Sequence, residues 1–531
     1  MNSTEQPADY LISPSNTEQY FGSKDRNEAW ISEAIWGHRI ERQPFSALLL
    51  EFLGMAEGMF RQGKLFEETT PGQNPQYVAN RSLQLRNLLF NNPRMDEILR
   101  DSQGSDEEGW TKWLQVMKDS ASLGDHLSAD FSYLRSRFDT FEELVCVVRL
   151  LRRIALDPGS ERSWTTQFLF PIGPAALYEA ILPKGDGFER TRRVFTRTGE
   201  IAYLMLTRAS ADLRAKIRER LAPSFDPNTS RNRLVMRLIS SEEPDRGDLK
   251  GATYLPYKIH PAFDRMAKDV AVILSLNLPD QDAFQYLQPL LGFHVYLYGI
   301  ETANCWLGES RLPALICEIL APRPDLVRKA AVGSYLQNDA LGGRAVRAFL
   351  DKMVFSDEIL ITKLKDSSLD DIGKKEYLLD HLVRTVSLKE PLEACDAATL
   401  TQNFYSFASR LFRARTSDGL TGLATGCGLA SKRQTNRYRY APTDELLRAL
   451  VMANVSSPIE ESAFLRHLHS RYRIVIGPVE AKSEIVSYEF DETDFKKNKD
   501  RFAQHLIGMG LAQRMSDACT YVINSMQSHE Y

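Results

Sequence analysis

Apolar residues recur at three- and four-residue intervals along most of this 531-residue chain, and that spacing constrains the fold more than any other feature. Near the N-terminus Trp30, Ile31, Ile35 and Trp36 follow it, and Phe45–Phe60 reads as a long amphipathic helix. The same pattern predicts helices over Ser82–Phe90, Gly109–Asp119, Thr140–Ile154, Gly199–Arg208 and Ala211–Leu221. It continues through Pro261–Leu274, Asp280–Leu291, Leu312–Leu320 and Asp371–Val386. Turn-forming stretches interrupt it at Glu68–Asn80, Asp101–Gly109 and Pro223–Arg233. Strand-like runs are short, chiefly Arg473–Gly477 and Glu484–Phe490. The expectation is a mainly α, multidomain helical protein without a fixed-period repeat.

The breaks suggest a flexible N-terminal segment (1–27), an N-terminal helical domain (28–222) and a middle helical domain (223–413). A basic Gly-rich linker (414–442) and a C-terminal domain (443–531) complete the chain. In that last part Thr443 or Asp444 is placed to N-cap a helix through Asn454. A second helix fits Pro458–Tyr472, and a third fits Phe495–Met509 with Gly510 at the left-handed C-terminal position. Two strand-like runs follow, Leu511–Ser516 and Cys519–Asn524. Helices followed by a short β-hairpin are the order of a winged helix-turn-helix; a helical cap with a trailing hairpin is the other reading.

Composition narrows the function classes. With 43% hydrophobic and 26% charged residues the chain is neither disordered nor fibrous. A net charge of -4 excludes a tail-driven nucleic-acid binder but leaves room for a local basic face. The first residues carry no basic and apolar leader, and no apolar run approaches the roughly 18 residues that span a bilayer, so a soluble, cytoplasmic protein without a membrane partner is expected. The six scattered cysteines include no close pair, which favours reduced thiols over a disulfide framework or a structural zinc site.

Two segments concentrate positive charge. Arg190–Arg237 holds twelve basic residues against four acidic ones, fitting either a phosphate-tracking face or a solvated, acid-paired helix face. Phe404–Tyr440 carries Arg410, Arg413, Arg415, Lys432, Arg433, Arg437 and Arg439 against Asp418 alone, with Phe and Tyr interleaved. Arginine with aromatic residues is the composition of nucleic-acid surfaces. The glycines between Gly419 and Gly428 match neither a Walker loop nor a dinucleotide fingerprint and read as a mobile loop. Lys496 and Lys497, with Lys499 and Arg501, lie near the start of the third C-terminal helix. That helix and the Arg-rich segment are expected to form one face for double-stranded DNA, although Asp491, Glu492, Asp494 and Asp500 offset its lysines.

Catalytic signals are sparse. Glu480-x-Lys482 after the strand-like Ile474–Ile476 resembles half of a metal-dependent nuclease site, but a second strand-borne carboxylate is missing. His467 and His469 are two residues apart on one helix, which points them to different sides. No catalytic residue, metal site or cofactor is expected, with a cryptic nuclease at Glu480 and Lys482 as the class alternative.

Several blocks carry a family likeness: Ile35-Trp-Gly-His-Arg-Ile40 with Leu48-Leu-Leu-Glu-Phe-Leu53, Phe195-Thr-Arg-Thr-Gly-Glu-Ile-Ala-Tyr-Leu-Met-Leu206, Arg471-Tyr-Arg-Ile-Val-Ile-Gly477 and Ser516-Asp-Ala-Cys-Thr-Tyr-Val-Ile-Asn524. Together they resemble uncharacterised proteins of bacterial phage-defence islands, closest to a non-catalytic component of the methylation-associated defence system. The resemblance implies an accessory role in a multi-gene antiviral system, with other subunits of that system as partners. It transfers no site residue. A purely protein-binding structural adaptor, whose basic patches contact acidic subunits, remains the third reading.

Overall fold

Most of the periodic segments fold as helices, and the deepest of them are buried on every side. The computed structural model describes residues 29–526, apart from 38–39, 72–74, 81–87, 90–91, 93, 103, 121–129, 155–179, 185–186, 192–196, 240–245, 252, 277, 320–324, 390, 434–435, 486–489, 516–518 and 525. The expected N-terminal segment 1–27 and most of the expected helix Ser82–Phe90 therefore lie outside the described residues.

Helix α1 (Ser32–Trp36) leads into α2 (Phe45–Arg61), whose residues from Ala47 to Met59 are all buried. Such a helix belongs inside a core rather than on its rim. It packs on α3 (Thr198–Thr207), also buried throughout, and the contact is close because Gly199 has no side chain. A Cβ there would sit 2.2 Å from the Leu48 carbonyl oxygen. Next come α4 (Ala211–Phe225), α5 (Pro261–Ser275) and the 27-residue α6 (Asp280–Trp306). Pro261 starts α5 at a position where its missing N–H costs nothing.

After α6 the chain forms the two-residue strand β1 (Leu315–Ile316), then α7 (Leu326–Phe349), N-capped by Asp325. Helix α8 (Asp371–Val386) is capped by Asp370 and α9 (Ala397–Phe412) by Asp396. A π-turn over Arg413–Ser417 joins α9 to α10 (Asp418–Gly426). Strands β2 (Ala430–Ser431) and β3 (Arg439–Tyr440) pair antiparallel.

The C-terminal part begins with α11 (Asp444–Asn454), β4 (Ile459–Glu460) and α12 (Glu461–Tyr472). Strand β5 (Ile474–Val475) pairs in parallel with β1, and α13 (Pro478–Glu484) follows. Then come α14 (Glu492–Gly508), β6 (Ala512–Arg514) and β7 (Thr520–Val522). The antiparallel sheet has the order β6-β7-β4. As expected, Gly510 closes α14 with φ +72°. The Gly510 amide bonds the Ile507 carbonyl and the Leu511 amide bonds that of Leu506, the two bonds of a Schellman motif.

Mainly α is therefore the observed class. Four local expectations differ. Leu312–Leu320 contains strand β1, not a helix, because its backbone pairs with β5. Within Glu68–Asn80, Gln76–Asn80 is a strand against Arg246–Gly251. Across Pro223–Arg233, α4 runs through Pro223 to Phe225 and a short helix spans Ser230–Met236. Of the strand expected at Glu484–Phe490, Glu484 ends α13 and 486–489 lie outside the described residues.

The segment 414–442 is no loose linker. A Cβ on Gly419 would meet the Ile40 carbonyl oxygen at 2.0 Å, so α10 lies directly against the chain after α1. Nor do boundaries at 222, 413 and 442 divide the core, since one buried cluster includes Ile35, Leu204, Leu291, Phe404, Leu450 and Val522. A separate cluster around Trp110, Trp113 and Phe141 is closed by Val235 and Leu238.

Candidate nucleic-acid interface

The first basic segment is largely consumed by the fold. Arg197 pairs with Glu200 at 2.7 Å, Arg214 with Glu68 at 2.8 Å and Arg237 with Glu143 at 3.0 Å. Arg208 donates to the carbonyls of Leu255 and Tyr257, and burial pushes its guanidinium down to about 10. Arg218 donates to the Leu65 carbonyl at 2.7 Å. Lys216 and Arg220 share the exposed face of α4 with Asp212 and Glu219. The acid-paired alternative fits these residues better than a phosphate track.

The second segment divides in two. Arg410 and Arg413 are exposed at the end of α9 and on the π-turn, with the Arg410 guanidinium 5.6 Å from the Phe407 ring centre. Arg415 pairs with Glu41 at 3.4 Å. Desolvation raises the Asp339 carboxyl, and the Ser417 hydroxyl and the Arg413 charge pull it back. Asp339 lies one turn along α7 from Tyr335, whose ring is 5.4 Å from that of Tyr438. Tyr438 in turn carries the Lys432 ammonium 4.1 Å from its ring centre.

Lys432, Arg433 and Arg437 are exposed in the turn between β2 and β3. Arg439 is a correction to the expected DNA contacts: it is wholly buried and cannot reach a phosphate. Its Nε donates to Glu318 Oε2, and its Nη1 donates to the Arg433 carbonyl at 2.8 Å. Glu318, also wholly buried, accepts from Arg328 Nε at 2.8 Å through its other oxygen. A carboxylate shared by two guanidiniums offsets the desolvation that either ion alone would suffer.

On α14, Lys496 and Lys497 are exposed, and Lys497 lies 3.2 Å from Asp494 one turn earlier. Asp500 and Gln504 share the outward side. The other two cations are tied inward: Lys499 to the Ser462 hydroxyl at 2.9 Å and Arg501 to Asp325 at 3.1 Å. Asn498 is buried and locks the helix to the β1 segment. Its Oδ1 accepts from the Ile319 amide at 2.8 Å, and its Nδ2 donates to the Cys317 and Ile476 carbonyls, each at 3.0 Å.

The nuclease alternative finds no support in the geometry. Glu480 and Lys482 lie on helix α13 rather than on a strand, and Glu480 is buried. Two residues apart on a helix, they point to different sides. Glu484, the next carboxylate on α13, is already paired with Arg473 at 2.6 Å and His469 at 2.9 Å. His467 instead bonds Asn454, so the two histidines serve different partners. Among the described residues no group of three or more His, Cys, Asp or Glu is arranged to hold a metal ion.

Sequence reasoning missed a buried polar cluster around Asp269. Asp269 Oδ2 accepts from His294 Nε2 at 2.7 Å and from the Tyr472 hydroxyl at 2.6 Å, while Oδ1 accepts from Arg471. Burial holds the His294 imidazole below its ordinary range, so the neutral ring donates to the carboxylate. Asp, His and Tyr in contact have the chemistry of a proton relay, but all three are sealed from solvent. The cluster therefore fastens α12 to α5 and α6. Only the charge of Asp269 on an otherwise apolar stripe, between Met266 and Val270, hints at it in the sequence.

No protein-family description, curated protein or solved structure matches the chain. No helix among the described residues is long and apolar enough to cross a membrane.

Proposed function

We propose that this protein is a non-catalytic accessory component of a multi-gene bacterial anti-phage defence system associated with DNA methylation, and that it contacts duplex DNA through its C-terminal part. The observation that carries the DNA reading is topological. The order α11-β4-α12-β5-α13-α14-β6-β7, with the sheet order β6-β7-β4, supports that reading: it has the helix and strand succession of a winged helix-turn-helix, with β5 and α13 inserted between α12 and α14. In that arrangement α14 would take the recognition position, with β6 and β7 as the wing strands. Lys496, Lys497 and Gln504 on its outward side supply phosphate and base-edge donors. The defence setting rests on the sequence resemblance, and other subunits of that system are the partners it implies.

The test is an anisotropy titration of duplex DNA at several salt concentrations. Neutralised phosphates release counterions, so binding should weaken steeply with salt, and Lys496→Ala/Lys497→Ala should lower the log–log slope by up to about 1.8. Salt-independent binding, or a double variant identical to wild type, rejects the DNA face and leaves the basic patches as docking surfaces for another subunit. In cells, deletion of this gene alone should remove phage resistance; unchanged resistance rejects the defence role.

A further inference from the structure

Helix α14 is fixed to the body along one side, and that side decides which of its residues face outward. Phe495, Asn498, Phe502 and Leu506 are buried at three- and four-residue spacing. The Phe502 ring stacks on that of Phe464, with centres 6.4 Å apart. Asn498 is hydrogen-bonded to the backbone of Ile319, Cys317 and Ile476. On the flanks, Lys499 is tied to Ser462 and Arg501 to Asp325. The helix cannot turn about its axis without breaking these contacts. At 3.6 residues per turn, the side opposite the buried one carries Lys496, Asp500, Gln504 and Ile507. All four are exposed, Ile507 by 41%.

This stripe is poorly suited to following phosphates by charge alone. Lys497, at its edge, is paired with Asp494 at 3.2 Å, and Lys496 is offset by Asp500 one turn on. A carboxylate aimed at a duplex is repelled by the phosphates on both sides of the groove. That cost is offset only where it accepts a hydrogen bond, and in the major groove the donor it fits is the cytosine N4 amino group. Glutamine fits adenine at N6 and N7, and an apolar side chain fits the thymine methyl. The stripe therefore holds partners for three different base features. Asp500 and Gln504 are roughly 6 Å apart along the helix axis, close to two base-pair steps of about 3.4 Å. A helix about 10–12 Å across also matches the roughly 12 Å major groove.

Resting on the duplex-binding reading, we infer that α14 reads base sequence: Asp500 accepts from a cytosine, Gln504 takes an adenine and Ile507 packs on a thymine methyl, with Lys496 on a flanking phosphate. Asp500 acts in two directions. It gains a hydrogen bond at its own base pair and repels the backbone everywhere else, so duplex of unrelated sequence is held weakly.

The experiment selects binders of the full-length protein from a pool of randomised duplexes. Anisotropy then compares the enriched duplex with a shuffled one of the same composition, and circular dichroism checks the folding of variants that all lie at exposed positions. The enriched sequence should hold a C·G and an A·T pair within about two steps of each other. Gln504→Ala should cut the preference for the enriched duplex by about 5- to 150-fold and accept any base at the adenine position. Asp500→Asn should lose the preference for cytosine and bind the shuffled duplex more tightly than wild type does. Damage to the fold would instead weaken both duplexes together. Lys496→Ala should weaken both duplexes equally and lower the log–log salt slope by about 0.9. Enrichment of no sequence, or a preference that survives in Asp500→Asn or in Gln504→Ala, overturns the readout and leaves the DNA reading standing. A wild-type protein that binds no duplex in the pool overturns both.

Discussion

Asp269→Asn should loosen the attachment of the C-terminal part to the helical body. The carboxylate receives three donors, from His294, Tyr472 and Arg471, and is wholly buried. Asparagine keeps the shape but offers a single acceptor oxygen, and turns an NH2 group towards donors. It also leaves Arg471 without its counter-charge. Breaking a buried pair by removing one partner costs about 3–5 kcal/mol. With an unfolding entropy of about 2.1 cal/mol/K per residue, a chain of this length should lose about 3–5 °C in Tm. The assay is thermal unfolding by circular dichroism, combined with hydrogen exchange of the α12 amides. Those amides should exchange faster than the ones in α2, because α12 is what the cluster fastens. A Tm within about 1 °C of wild type and unchanged α12 exchange would refute the reasoning.

Two further outcomes follow from buried groups elsewhere. Glu51 accepts the amides of Arg197 and Gly199 at the start of α3, and burial pushes its carboxyl up from 4.5 to about 7. The folded protein then keeps a proton that the unfolded chain loses, so this contribution is complete below pH 4.5 and is lost as pH rises towards 7. Glu51→Gln should remove about 3 kcal/mol of the pH dependence of the unfolding free energy across that window, measured by urea unfolding at several pH values; parallel curves would contradict it. Gly419→Ala should lower the urea midpoint, since its Cβ meets backbone at 2.0 Å, whereas Gly422→Ala meets only the flexible Arg42 side chain at 3.3 Å. The expected costs are about 1–3 kcal/mol or more at 419 and near zero at 422, where a helical alanine is intrinsically preferred.

The helices were legible because their signal is local. A stripe repeating every 3.6 residues, an Asp at the cap and a Gly at the end are written in neighbouring positions, as at α8 and α14. The errors share the opposite cause. Leu312–Leu320 has helix-compatible apolar content, but its partner strand lies more than 150 residues away. The glycines of 419–428 suggested a loop because glycine is flexible in isolation. In the folded chain Gly419 lets α10 approach another segment, Gly426 lies against the Phe45 ring, and only Gly428 uses a positive φ. Glu318 and Asn498 left no signature at all, since each is one polar residue whose role is set by partners distant in sequence.

The cationic segments make the same point about the site. Arg433, Arg437 and Arg439 look equivalent by composition, yet the last is a buried structural ion and the first two are exposed. The difference arises from strand pairing. Arg439 opposes Ser431 in the β2–β3 ladder and faces Glu318, while Arg433 and Arg437 fall beyond the last paired residues. Counting charge over a window therefore measures two quantities together: cations spent on holding the fold and cations available to a ligand. Arg190–Arg237 lies mostly in the first class, with Arg197, Arg208, Arg214, Arg218 and Arg237 all engaged internally. Exposed Lys496 on α14 belongs to the second class. Arg439, wholly buried with Glu318, belongs to the first.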